Sequence, residues 1–127
     1  MTVSLPERLQ QLTNRMLRKK LFLVTMTADV APDRLMPHLA DHLEYMTELA
    51  RRGVLFASGP FVSADGAPTG DGVSIFNTSS AEEARSFAER DPFYVHGLRK
   101  FEVKEWMLMK GSMTVTLNFA ERTLDVA

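Results

Sequence analysis

Cysteine is absent from all 127 residues. That excludes disulfides, thiolate metal sites and a thiol nucleophile, while leaving the redox compartment open. An excess of charge of either sign is missing too. With 15 Lys and Arg against 16 Asp and Glu, the formal net charge is -1, so no bulk positive field draws nucleic acid or an acidic membrane. No apolar run approaches membrane-spanning length, and the N-terminus lacks the apolar core of a signal peptide. The expectation is a soluble, cytoplasmic protein. Internal repeats and low-complexity tracts are absent. Gly66, Gly70 and Gly72 do not follow a strand and open a helix, so a phosphate-cradling loop is not indicated.

What the sequence has is an ordinary globular balance, 45% hydrophobic and 24% charged. At 127 residues the size suits one domain with a real core. The organising stretch runs from His42 to Phe61, HLEYMTELARRGVLFASGPF. Leu39, Leu43, Met46, Leu49 and Ala50 recur at helical spacing as one apolar stripe. Arg51-Arg52 followed by Gly53 suits a helix end: cations in the last turn, then a residue free to take positive φ. A strand is expected from Val54, ended by Ser58-Gly59-Pro60, whose backbone donors would face a cleft. His42 falls on or beside the apolar stripe, where an imidazole needs a hydrogen-bonding partner or a chemical task.

Around this stretch the chain divides into an N-terminal helical extension (1–20), a central domain (21–110), and a C-terminal strand with a tail lacking clear signals (111–127). Ser4 with Glu7 has capping-box spacing, and Leu5, Leu9, Leu12, Met16 and Leu17 follow as a stripe. Arg15, Arg18, Lys19 and Lys20 are expected at the C-terminal end of that helix, where cations favour the dipole. Leu21 to Thr27 reads as a strand apolar at nearly every position, hence covered on both faces. The second helix is expected from Asp33 or Met36, with Pro37 in its first turn. Val62 to Gly72 reads as a long hairpin connection and Val73 to Thr78 as the third strand. Ser80 with Glu83 opens a helix over Ala81 to Glu89, with Ala84, Phe87 and Ala88 inward. Asp91-Pro92 starts another short helix that Gly97 ends. Phe101 to Met109 is expected as the fourth strand, its end buried on both faces, and Met113 to Phe119 as an additional one. The order β-α-β-β-α-β is the split βαβ arrangement of an α+β, ferredoxin-like fold. Helices on one face leave the other open to a second copy of the chain.

The run H42-L43-x5-L49-x3-G53-x5-G59-P60, then S80-x-E82-E83-A84, then D91-P92-F93-x3-G97-L98, resembles the YciI-like group of the dimeric α/β-barrel superfamily. The resemblance covers roughly residues 21–109. It implies a ferredoxin-like protomer, a homodimer with back-to-back sheets, and a cleft holding a His and an Asp. The matching positions here are His42 and Asp91. It also points to lactone and enol chemistry, since relatives are similar to muconolactone isomerases and to a dehydrochlorinase of hydroxylated aromatic breakdown. The N-terminal helix and the last strand extend beyond the family pattern, and the pattern does not require a His at position 96.

The residues themselves agree with such chemistry. An imidazole, with an unperturbed pKa of about 6.5, serves as acid or base near neutral pH when a carboxylate fixes its tautomer. Ser58 lacks a nucleophile-elbow context, so proton transfer is more economical than hydrolysis. The expected function is a cofactor-independent lyase or isomerase, of dehydratase or dehydrohalogenase type, acting on a small oxygenated substrate. His42 would move the proton and Asp91 would orient it. Ser58, Gly59, Pro60, Phe93, His96 and Trp106 would bind the substrate. The alternative is a non-catalytic ligand-binding or assembly module using the same cleft. Blander readings stand beside each residue: His42 as a satisfied core histidine, Asp91 as a helix cap, His96 as a surface residue, the aromatics as core. His38 and His42 have metal-ligand spacing, but no third ligand is evident and no metal is expected.

Overall fold

The computed structural model describes residues 2–127. Two compact units are present, one comprising Lys20–Met107 and the other both chain ends, up to Lys19 and from Leu108.

The larger unit is built on a four-stranded sheet in the order β2-β3-β1-β4. Its strands are β1 (Lys19–Ala28), β2 (Leu55–Val62), β3 (Pro68–Phe76) and β4 (Arg99–Leu108). β3 pairs antiparallel with both β1 and β2. Helices α2 (Met36–Arg51) and α3 (Ala81–Glu89) pack on one face, and a short helix α4 (Pro92–Val95) precedes β4. This is a ferredoxin-like α+β fold. Phe22, Val24, Met26 and Phe76 from the sheet meet Met46 and Leu49 of α2 and Ala84, Phe87 and Ala88 of α3 in one buried cluster. That cluster follows from strand alternation set against helical spacing. Among the described residues, no helix is long and apolar enough to cross a membrane.

Local signals set most element ends. Gly53 takes φ +76 and closes α2, with its N–H donating to the Ala50 carbonyl and that of Val54 to the Leu49 carbonyl. The Ser80 hydroxyl accepts from the Glu83 N–H at the start of α3, and the Ser79 hydroxyl donates to the Glu83 carboxylate at 2.6 Å. A one-turn 3-10 helix, Pro32–Arg34, leads into α2, whose first turn holds Pro37.

Three expectations for this unit need correction. Ser58-Gly59-Pro60 does not end β2; the strand runs on to Val62. It tolerates Pro60 because β2 lies at the sheet edge, where a missing N–H costs no ladder bond. β3 accordingly begins at Pro68, so the connection is short and Gly70 and Gly72 lie inside a strand. Gly72 is required by close approach: a Cβ there would sit 2.8 Å from the Gly59 carbonyl oxygen. Finally, the end of β4 is not enclosed in the single chain, where Trp106 is 38% and Met107 50% exposed.

In the smaller unit, α1 (Leu5–Thr13) has the expected capping box between Ser4 and Glu7. The helix is shorter than its apolar stripe, and Met16 and Leu17 lie outside it. The basic residues do not sit in its last turn; Arg15 and Arg18 follow the helix, and Arg18 takes a positive φ of 54. The tail, which carried no clear signal, forms a second strand: β5 (Val115–Asn118) pairs antiparallel with β6 (Thr123–Val126) as a separate hairpin. A Met113–Phe119 strand was expected; the strand is shorter, and Phe119 lies in the turn, 87% exposed.

Candidate active site

α2 and the edge of the sheet enclose a cleft of about 620 Å³. Its α2 wall is the apolar stripe itself: Leu39, Leu43 and Met46, with His42 among them. The stripe is therefore only partly core. Met46 is buried, whereas Leu43 faces open space and is 53% exposed. Ser58, Gly59 and Pro60 of β2 form part of the opposite wall, and Met26, Gly70, Gly72, Phe93 and Arg99 also line the cleft.

The α4 turn supplies the groups that hold His42. Asp91 caps α4, its Oδ1 accepting the Phe93 N–H at 3.0 Å, with Pro92 in the first turn. The same Oδ1 lies 2.8 Å from His42 Nδ1. One oxygen therefore caps the helix and holds the imidazole. Phe93, two residues on, stacks its ring on the imidazole with centroids 4.2 Å apart. Asp91 and Phe93 thus fix the imidazole's position and plane. The side chains are well shielded, at 12% exposure for His42 and 6% for Asp91.

A carboxylate only accepts, so in the neutral ring Nδ1 carries the proton and Nε2 the lone pair. Nε2 has no hydrogen-bonding partner among the described residues, and no buried side-chain nitrogen or oxygen is left unpaired. Nε2 is therefore accessible, on a side chain that lines the cleft. An imidazole held in this way is set up to accept a proton from a molecule in the cleft.

Ser58 is differently occupied. Its hydroxyl lies 2.7 Å from that of the fully buried Ser74 on β3. Tyr45, on α2, donates to the Phe87 carbonyl at 2.6 Å, and burial raises its phenol above the ordinary value.

Two residues expected at the site lie elsewhere. His96 does not line the cleft; it stacks on His38 with ring centroids 3.9 Å apart. His38 is thereby turned to His96, and no group of three or more His, Asp or Glu side chains among the described residues is placed to hold a metal. Trp106, near the far end of β4, is also absent from the cleft wall. One residue that motif reading missed does line it. Arg99 opens β4, and its guanidinium donates from Nε to the Gly70 carbonyl at 2.9 Å. Its Cζ lies 4.6 Å from the Phe93 ring centroid. Burial pushes the guanidinium pKa below its usual range, while Asp91 and Asp71 act in the opposite direction. The available signal was strand parity: Arg99 shares a face of β4 with Phe101 and Val103, both packed against the core cluster.

Residues 20–107 match the model of the YCII-related domain family. The chain belongs to the YCII-related family. A search of curated proteins gave no match. Among solved structures, this YCII-related chain is similar to the 5-chloro-2-hydroxyhydroquinone dehydrochlorinase of Burkholderia phenoliruptrix AC1100, in complex with 2,5-dihydroxybenzoquinone. The two are 28% identical with a TM-score of 0.57, over 68% of this chain and 92% of that one.

Proposed function

We propose that this chain is a cofactor-independent acid–base enzyme that removes a proton from a small oxygenated ring and expels a leaving group or shifts a double bond. The observation that carries the reading is the 2.8 Å His42–Asp91 hydrogen bond on a cleft-lining histidine whose opposite imidazole nitrogen is accessible and unpartnered among the described residues. His42 Nε2 takes the proton, and the electron pair left behind forms the new double bond. In an elimination the leaving group departs with its own pair. In an isomerisation the imidazolium returns the proton at another atom. Asp91 holds the proton on Nδ1 and stabilises the positive charge as the ring becomes an imidazolium. The shielding of the His42 and Asp91 side chains strengthens this pairing. The likeness to a dehydrochlorinase with a hydroxyquinone bound supports the same class of substrate here.

A second copy of the chain completes the assembly in this reading. β1 is apolar in both parities, and Leu23 and Ile75 form a register pair on the face away from the core cluster. Both are only half-buried in the single chain. Such a face on a small sheet gains from burial against its own copy.

The test is chloride release from 5-chloro-2-hydroxyhydroquinone by the wild type, His42→Ala and Asp91→Asn. The reading expects turnover by the wild type, near-complete loss in His42→Ala and a partial loss in Asp91→Asn. Undiminished release by His42→Ala would end the proton-transfer proposal. Binding of 2,5-dihydroxybenzoquinone by a wild type that releases no chloride would favour a ligand-binding module instead.

A further inference from the structure

We infer that Arg99 is the anchor for an ionised oxygen of the ligand, so that the cleft selects a small ring carrying an enolate or phenolate. This rests on reading the cleft as the substrate site. Of the residues lining it, only Asp33 and Arg99 carry a full charge when His42 is neutral. Asp33 is exposed, where water screens it. Arg99 is half-buried on the core-facing side of β4.

The guanidinium's donors are incompletely used. Nε donates to the Gly70 carbonyl and Nη1 to the Met26 sulfur at 3.7 Å, a weak acceptor. Nη2 has no acceptor among the described residues, and since no buried side-chain nitrogen there is unpaired, it is accessible, on a side chain that lines the cleft. No carboxylate among the described residues lies within ion-pair distance of Arg99. Asp91 and Asp71 favour the charged guanidinium from further away. Asp71 is itself engaged, accepting the Ala28 N–H at 2.8 Å. Asp91 is engaged by His42 and the Phe93 N–H. The arrangement keeps the cation ionised while leaving donors open to a ligand, which is what a planar anionic oxygen site requires.

Placement relative to His42 makes the site useful. His42 and Arg99 both pack on Phe93, with the imidazole centroid 4.2 Å and the guanidinium carbon 4.6 Å from its centroid. The two cannot be further apart than the sum of those distances, and both line the same cleft. The apolar remainder of the cleft, including Leu39, Leu43 and Met46, suits the hydrocarbon of such a ring. An oxygen anchored at Arg99 would keep its negative charge while His42 removes a proton elsewhere on the ring.

The test is equilibrium binding of 2,5-dihydroxybenzoquinone, which is ionised at neutral pH, against its uncharged 2,5-dimethoxy derivative. The wild type is expected to prefer the anion, and Arg99→Met to lose about 10- to 100-fold in affinity for it, as for a charge-assisted hydrogen bond. Affinity for the uncharged ring should change little, which also reports that the cleft has kept its shape. Arg99→Lys should recover part of the preference. A purely structural Arg99 would weaken both ligands alike in Arg99→Met, and that result overturns the inference, as does a wild type without preference for the anion. The two proposals fail separately. Loss of chloride release in His42→Ala with unchanged anion binding in Arg99→Met leaves the acid–base reading and removes the anchor. Anion preference dependent on Arg99, with chloride release indifferent to His42, does the reverse.

Discussion

Replacing Asp91 by Asn changes the charge at the site and little else. The carboxylate oxygen Oδ1 accepts from both the Phe93 N–H at 3.0 Å and His42 Nδ1 at 2.8 Å. An amide oxygen of the same shape retains both bonds, and Asn caps helices about as well as Asp. Folding then loses only the difference between a charged and a neutral hydrogen bond, about 1 kcal/mol, or a Tm about 4 °C lower for a chain of this size. Turnover should suffer much more. In the transition state the imidazole carries positive charge beside a carboxylate that is only 6% exposed. At an effective dielectric of 20, unit charges about 4 Å apart attract by about 4 kcal/mol. Allowing for partial charge transfer, a loss of about 2–4 kcal/mol corresponds to a roughly 30- to 1,000-fold slower step. Chloride release and thermal unfolding, measured on the same preparation, separate the two effects. A variant that melts as expected and turns over at the wild-type rate would refute a role for the Asp91 charge. A variant that loses activity only in proportion to its folded fraction would refute it equally.

Other outcomes follow from packing and from charge. Gly72→Ala places a methyl 2.8 Å from the Gly59 carbonyl and 3.3 Å from Pro60 Cα. Both contacts are backbone, so the β2–β3 pair must shift, at a cost of about 2 kcal/mol in chemical denaturation. Phe87→Ala empties the core between α3 and the sheet, and the denaturation midpoint should fall by the equivalent of about 3–5 kcal/mol. Hydrogen bonds from Ser79 hold the Glu83 carboxyl below its usual pKa. Because the folded value lies below the unfolded one, this contribution is present above the ordinary carboxylate range and disappears as the pH falls through the lowered value. The Tm gap between wild type and Glu83→Gln should therefore narrow in acid, and a gap independent of pH would contradict the assignment. Sedimentation should show a dimer for the wild type and a shift toward monomer for Ile75→Lys, whose charge falls on the face opposite the core cluster.

The sequence by itself determined the features that depend on neighbours a few residues away. Ser4 with Glu7, Ser80 with Glu83, Gly53 and Asp91-Pro92 each act within one turn of chain, so caps and helix stops were legible. Helical spacing placed Met46, Leu49 and Phe87 in the core, whereas β1, apolar at nearly every position, did not reveal that Phe22 and Val24 mark the face that meets the helices. Resemblance to the family, more than spacing, brought His42 and Asp91 together as a pair. Only the tertiary structure decided what faces the cleft. Leu43 belongs to an apolar stripe yet is exposed, because that part of the stripe lines the cleft and does not pack on the sheet. Pro60 continues a strand because β2 lies at the sheet edge, a fact of strand order that the sequence around Pro60 does not encode. His96 follows the DPF turn but is drawn to His38 across it. Arg99 enters the site because β4 returns beside β1, bringing a residue far along the chain within reach of Gly70 and Phe93. Short-range hydrogen bonding wrote the elements into the sequence; which side chains share the cleft depended on long-range strand order and helix placement.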